Sequence, residues 1–263
     1  MIACFRTVLE RMSRHVVLRR RLPSRFGGRL LYVSPDVALR FWRRGLETAD
    51  APLFDAVYEN VLPGHVVWDV GANLGLFAFA AAGLAGEAGL VVAVEPDPFL
   101  VALLRRSARR RAAGQARVEV VPAAVSEASG LRQLCIAVRG RSSNYIEGAG
   151  GSQAGGVRER QWIPAVTLDS LLDVFPAPNL LKVDVEGHEL AVLSGGRRLL
   201  AEYRPTVLCE IGEEAAGSLT SIFKRLGYQL FDADILRARR TPLARAVWNT
   251  LAVPPKPAAS RRG

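Results

Sequence analysis

Between residues 66 and 232, short β-rich runs alternate with stretches of helix length, and a glycine or an acidic residue follows several of the runs. The runs fall at 66–70, 90–94, 118–121, 180–185, 206–211 and 228–231. Helical segments are expected at 51–60, 74–84, 98–113, 168–174, 189–200 and 218–226. Strands apolar on both sides belong to parallel sheets covered on both faces, and their alternation with helices predicts an α/β fold. Residues 131–138 and 162–166 break the alternation as two extra strands. Between them, residues 148–156 hold five glycines in nine and read as a loop.

The chain ends are different in character. Of the 263 residues, 35 are Lys or Arg and 25 are Asp or Glu, a net charge of +10. Residues 1–50 carry 11 Arg and 4 acids, residues 237–263 carry 6 Arg, one Lys and no acid, and the middle is slightly acidic. This divides the chain into a basic N-terminal extension or cap (1–50), a central domain (51–236) and a basic C-terminal tail (237–263). Basic ends suit an anionic membrane surface or nucleic acid, although an Arg-biased solvated surface gives the same pattern. No RNA-binding signature accompanies them, so a nucleic-acid partner is disfavoured. Residues 70–86 are uncharged, but 17 residues with four glycines are too short and too broken to span a bilayer. The basic, interrupted N-terminus is not a signal peptide, which makes the cytoplasm the expected location. Cys4, Cys135 and Cys209 are few and scattered, as are His15, His65 and His188, which argues against a disulfide framework or a zinc site.

The sharpest motif is Asp69-Val70-Gly71-Ala72-Asn73-Leu74-Gly75, followed by Glu95-Pro96-Asp97 at the end of the next run. Glycines after a first strand let backbone approach a ligand, and an acid closing the second strand is placed to grip ribose hydroxyls. A dinucleotide fingerprint would need a third glycine and would set a pyrophosphate on a helix start. Acids beside the turn would repel that pyrophosphate but suit the sulfonium and amine of S-adenosylmethionine. That cofactor is therefore favoured over a nicotinamide, the oxidoreductase reading being an alternative. A glycine turn alone is also compatible with a bend that binds nothing.

Together with Ala124-Val125-Ser126, Val166-Thr167-Leu168-Asp169 and above all Leu181-Lys182-Val183-Asp184-Val185-Glu186-Gly187-His188-Glu189, these blocks resemble the FkbM family of S-adenosylmethionine-dependent methyltransferases. The resemblance covers roughly residues 50–232. It implies the class I methyltransferase fold, a Rossmann-like, doubly wound, mostly parallel seven-stranded sheet, here with a small N-terminal extension. It also implies O-methylation of a hydroxyl on a sugar, glycan or natural-product small molecule. By the same resemblance Asp69, Gly71, Asn73 and Gly75 line the methionine end of the cofactor. Glu95 takes the ribose, and Ala124 and Ser126 flank the adenine. Ser107 and His188 depart from the family, which commonly has Asn and a small residue there. An RNA methyltransferase is the other enzyme reading, and it lacks the motif expected for a flipped base.

A hydroxyl acceptor gains from a nearby base. Asp184 and Glu186, two apart, would share a face if the strand ran through them. Either Glu186 or His188 is expected to take the proton, with Asp184 orienting substrate or cofactor. Glu189 reads as a helix-start acid. No ligand spacing calls for a metal, although Asp184, Glu186 and Glu210 would be the residues to share one. Tyr145 and Trp162 flank the 148–156 loop, which could close over substrate. The sequence does not name the acceptor or the oligomeric state.

Overall fold

The computed structural model describes residues 12–42, 45–46, 50–110, 112–149 and 156–255. An antiparallel hairpin, β1 (Leu18–Arg21) and β2 (Leu30–Val33), comes first. Helix α1 (Ala51–Asn60) follows. The Asp50 carboxylate accepts from the Leu53 amide at its start, and Pro52 sits in its first turn. A proline there costs nothing, because that amide has no intrahelical partner.

The central sheet is built from β3 (Val66–Val70), β4 (Leu90–Val94), β5 (Arg117–Val121), β10 (Leu180–Val183), β11 (Thr206–Glu210), β12 (Gln229–Asp232) and β13 (Asn249–Val253). Between β5 and β10 lies a smaller sheet of β6 (Ala124–Val125), β7 (Gly130–Ala137), β8 (Tyr145–Ile146) and β9 (Val157–Val166). In space the seven central strands run β12-β13-β11-β10-β3-β4-β5, parallel from β11 to β5, with β13 antiparallel to both its neighbours. This is the doubly wound class I methyltransferase sheet that the resemblance implies.

Successive residues of β3 face opposite cores. Val67 packs with Phe54, Phe77, Leu100 and Leu104 on one face, while Trp68 packs with Leu181, Leu193 and Phe223 on the other. Helix α2 (Leu76–Ala85) is apolar all round and buries all but Gly83 and Leu84, whereas α3 (Pro98–Ala108) buries only one side. Helices α4 (Leu168–Leu171), α5 (Glu189–Ser194) and α6 (Glu213–Arg225) lie towards the second core.

Several boundaries differ from the expected ones for local reasons. Helix α5 breaks at Ser194, because Gly195 and Gly196 follow, and the chain turns helical again from 197 to 203. A β-carbon on Gly195 would lie 2.2 Å from the Ser126 carbonyl oxygen, so close approach of two backbones takes precedence over continuing the helix. The segment expected as a solvated tail from 237 instead supplies β13, hydrogen-bonded between β11 and β12. Its five residues, Asn-Thr-Leu-Ala-Val, are masked in the sequence by the surrounding arginines and prolines.

The N-terminal hairpin is tied to α3. The Tyr32 amide donates to Ser107 Oγ at 2.9 Å, and Arg29 donates to the Ala108 carbonyl at 2.7 Å. Ser107 thus ties α3 to the cap. A buried ionic network joins three segments far apart in the chain. Arg141 bridges Asp36 of the cap, at 2.9 Å, and Asp97, while Arg158 also reaches Asp36 and Asn144 donates to Asp97. Burial alone would raise the Asp36 pKa, but hydrogen bonds from Arg158 and Arg141 outweigh it and hold that carboxyl below its ordinary value.

Candidate functional site

The chain winds outward from β3 through β4 and β5, then returns to β10 on the other side. The crevice of such a sheet opens at this switch point, beyond the carboxyl ends of β3 and β10. A cavity of about 370 Å³ lies there. Its walls include Gly71, Asn73, Glu95, Ala124, Asp184, Glu186 and His188. Phe41 of the N-terminal segment, Pro52 of α1, Asn144, and Tyr145 of β8 also line it.

The turn after β3 is held by its own backbone. The Gly71 and Ala72 amides both donate to the Val94 carbonyl, each at 3.0 Å. Gly71 has φ +79°, and a β-carbon on it would stand 1.8 Å from the Asp184 carbonyl oxygen. No side chain fits there, so this glycine is required both by its dihedral and by the strand beside it. Asn73 also takes a left-handed conformation, φ +53°, and its side-chain oxygen accepts from the Leu74 amide. Such local hydrogen bonding is why asparagine tolerates this region.

Glu95 closes β4 and is buried. One carboxylate oxygen accepts from the Asn73 amide at 2.8 Å and the other from the Asp97 amide at 2.9 Å. Each oxygen keeps a further lone pair for a ligand hydroxyl. Burial pushes the Glu95 pKa up to about 8, although both amides favour its charged form.

Asp69 is fully buried and does not line the cavity wall. Its Oδ1 pairs with the Lys182 ammonium at 3.4 Å. Lys182 faces Asp69 across the β10–β3 pair, and its Nζ donates to Asp184 at 3.0 Å. Burial would discharge this lysine, but the carboxylates of Asp184 and Asp69 outweigh it and keep it cationic. Burial also raises the Asp69 pKa, partly offset by Lys182. Lys182 was given no role from sequence. Its signal was a lone charge inside an otherwise apolar run, which folded chains accept only when it is paired.

Asp184 and Glu186 do reach the same cavity, but not by the expected route. The strand ends at Val183, and Glu186 turns left-handed at φ +53°, followed by Gly187 at +94°. A tight turn, not pleat alternation, brings the two acids together. Burial raises Glu186 to about 7, with Asp184 adding to the shift, and Glu210 at the end of β11 is raised for the same two reasons. Glu189 acts at the helix start, accepting from the Gly187 amide at 2.8 Å.

Among the remaining predicted residues, Ala124 lines the cavity, while Ser126 is buried behind it and contacts His188. Gly75, at φ +81°, packs against Leu104 and Phe79. Tyr145 lines the cavity, whereas Trp162 is 69% exposed and does not. The centre of the expected lid, residues 150–155, lies outside the described residues. Arg141 and Arg40, both on the cavity wall, had no recognisable sequence signal.

The raised carboxylates set a stability trend. A carboxyl whose folded pKa exceeds its unfolded value binds more protons when folded, so stability falls as pH rises between the two. For Glu95 and Glu186 that window runs from the ordinary 4.5 to about 8 and about 7. Burial lowers His65 and His188 below 6.5, and these oppose the trend only below that value. The urea midpoint of the ligand-free protein is therefore expected to fall from pH 6.5 to pH 8. A flat or rising profile would show that Glu95 is ionised throughout.

Comparison with known proteins places these residues in context. The family model for the methyltransferase FkbM domain matches residues 69–230, more than half the chain. The hexuronic acid methyltransferase AglP of Haloferax volcanii is 33% identical over 161 residues, covering 59% of each protein. Among solved structures, an FkbM methyltransferase from Methylobacillus flagellatus superposes with a TM-score of 0.47 at 17% identity, covering 78% of this chain and 59% of that one. An S-adenosylmethionine-dependent O-methyltransferase from Thermotoga maritima gives 0.40 at 12% identity, over 80% and 66%. The matched stretch begins at Asp69, two residues before Gly71, and runs on through the second acidic turn, and by it the chain belongs to the FkbM methyltransferase family.

Proposed function

We propose that this chain transfers a methyl group from S-adenosylmethionine to a hydroxyl of a sugar, glycan or related small molecule. The observation that carries the reading is Glu95, whose two oxygens are each steered by a backbone amide toward a glycine-walled crevice. That donor set fits a ribose, and the neighbouring acids fit a cation better than a pyrophosphate. Gly71, Asn73, Glu95 and Ala124 would hold the cofactor, with Asp69 setting the charge behind them. When bound, the cofactor supplies a methyl group already activated by a positive sulfur.

The chain's own task is to align the acceptor, exclude water and take up a proton. Asp184 is fixed by Lys182 and is placed to orient the acceptor. Glu186 and His188 flank it on the same wall, and both are able to accept a proton near neutral pH. The named substrate class of the Haloferax relative makes uronic-acid glycans the first acceptors to test.

Titration calorimetry is expected to show S-adenosylmethionine binding and NAD failing to bind. In Glu95→Gln the amide cannot accept from both backbone amides at once, and affinity for S-adenosylmethionine is expected to fall roughly tenfold to hundredfold. Labelled-methyl transfer to uronic-acid glycans, neutral sugars and RNA then sorts the acceptor classes. No heat with S-adenosylmethionine, or undiminished affinity in Glu95→Gln, would overturn the reading.

A further inference from the structure

The surroundings of His188 give it a defined chemical state. Its Nε2 lies 3.0 Å from Ser126 Oγ. The same hydroxyl makes a short hydrogen bond to Glu127 Oε2, and the other oxygen of Glu127 pairs with Arg132 at 3.1 Å. Ser126 is fully buried, and its amide donates to the Val166 carbonyl, so the hydroxyl is held in place by the small sheet. Gly195 presses on its backbone from the other side.

The direction of these hydrogen bonds follows from proton inventory. An ionised carboxylate only accepts, so the single hydroxyl proton of Ser126 goes to Glu127. The Ser126 oxygen is then left to accept, and the group facing it must be an N–H. His188 therefore carries its proton on Nε2, and the lone pair of the neutral ring is on Nδ1. The ring lines the cavity.

We infer that Ser126 and Glu127 are positioning residues that lock His188 in the Nε2–H form, so that Nδ1 takes the proton of the acceptor hydroxyl. The inference rests on the methyl-transfer reading for its chemistry, but not for its geometry. In the step, the O–H bond breaks and its proton passes to Nδ1. The oxygen electron pair forms the new bond to the methyl carbon, and the pair of the broken C–S bond returns to sulfur. The ring becomes an imidazolium, which Glu127 stabilises through Ser126, and later yields its Nδ1 proton to water. Ser126, which the family resemblance sets beside the adenine, acts here through its contact with His188.

Among the described residues, the charged groups bearing on His188 are Glu127, 4.0 Å from Nε2, and Arg132 behind it. Burial lowers the His188 pKa, Glu127 raises it and Arg132 lowers it further, leaving a neutral base at pH 7. Removing the Glu127 charge must therefore move the titration down, to more acidic pH.

Two measurements on the full chain test this. The first is ¹⁵N NMR of ligand-free protein labelled at histidine, which needs neither cofactor nor acceptor. Above its titration His188 is expected to show a protonated, exchange-protected Nε2 and a bare Nδ1. Ser126→Ala should lose the protection, and Glu127→Gln should move the titration down. A proton on Nδ1 of the wild type, or an unmoved titration in Glu127→Gln, overturns the inference even if methyl transfer is confirmed. The second is the pH profile of kcat with a turned-over acceptor. His188→Ala is expected to lose roughly hundredfold in kcat, and in Glu127→Gln the acid limb should move down with the NMR titration while KM holds. If Glu186→Gln abolishes the limb and Glu127→Gln leaves it in place, Glu186 is the base and the inference fails.

Discussion

Gly71→Ala is expected to lose detectable binding of S-adenosylmethionine. A left-handed conformation alone costs a non-glycine residue about 1–2 kcal/mol. Here the added methyl would also stand 1.8 Å from the Asp184 carbonyl oxygen, which belongs to backbone and cannot swing aside. Either the turn or the loop after β10 must move, and both line the same cavity. Gly64→Ala is the control, because Gly64 has a similar φ of +81° but open space where the β-carbon would go. It should carry the strain and leave affinity unchanged. If Gly71→Ala bound within about threefold of wild type, under roughly 0.7 kcal/mol, the turn would not be the cradle for the cofactor.

Lys182→Met should be the most damaging single change to stability. It removes the cation that Asp69 and Asp184 share, and Asp69 is fully buried. Breaking a buried ion pair from one side typically costs roughly 3–5 kcal/mol, because an uncompensated charge is left in the interior. Removing both partners is far gentler. Chemical denaturation should therefore show Lys182→Met strongly destabilised, and Asp69→Leu combined with Lys182→Met largely recovered. If the double variant were as unstable as the sum of the single ones, the pair would not be coupled and Lys182 would be filling space. The same change should raise KM for the acceptor, since Asp184 loses its anchor.

The legible parts of this fold were those with one dominant local signal. The runs at 66–70 and 90–94 and the helix at 51–60 appear at the expected residues, because continuous apolar strands and an Asp-capped, proline-started helix leave little choice. The glycine turn was legible because backbone dictates its residue type, Gly71 having a positive φ and no room for a β-carbon. Strand β13 was hidden because five residues of weak pattern lie among arginines, where charge dominates the reading. The turn at Glu186 was hidden because a glutamate with positive φ has no local signature. It is held by Gly187, the Glu189 carboxylate and the cavity around it. The Arg141 network was invisible for a different reason. Its members are 36, 97, 141 and 158, and nothing local in a sequence pairs residues that far apart.

The position of β13 also changes what a minimal working unit can be. The family match ends at residue 230, and the basic run that follows invites truncation there. Yet 249–253 is threaded into the sheet interior, with Gln229–Asp232 outside it. Cutting the chain after 236 would unzip an edge: β11 would face solvent along its whole ladder, and β12 would be left without a neighbour. Such a fragment would expose a sticky margin rather than a trimmed domain, and soluble expression should demand the chain through at least Val253.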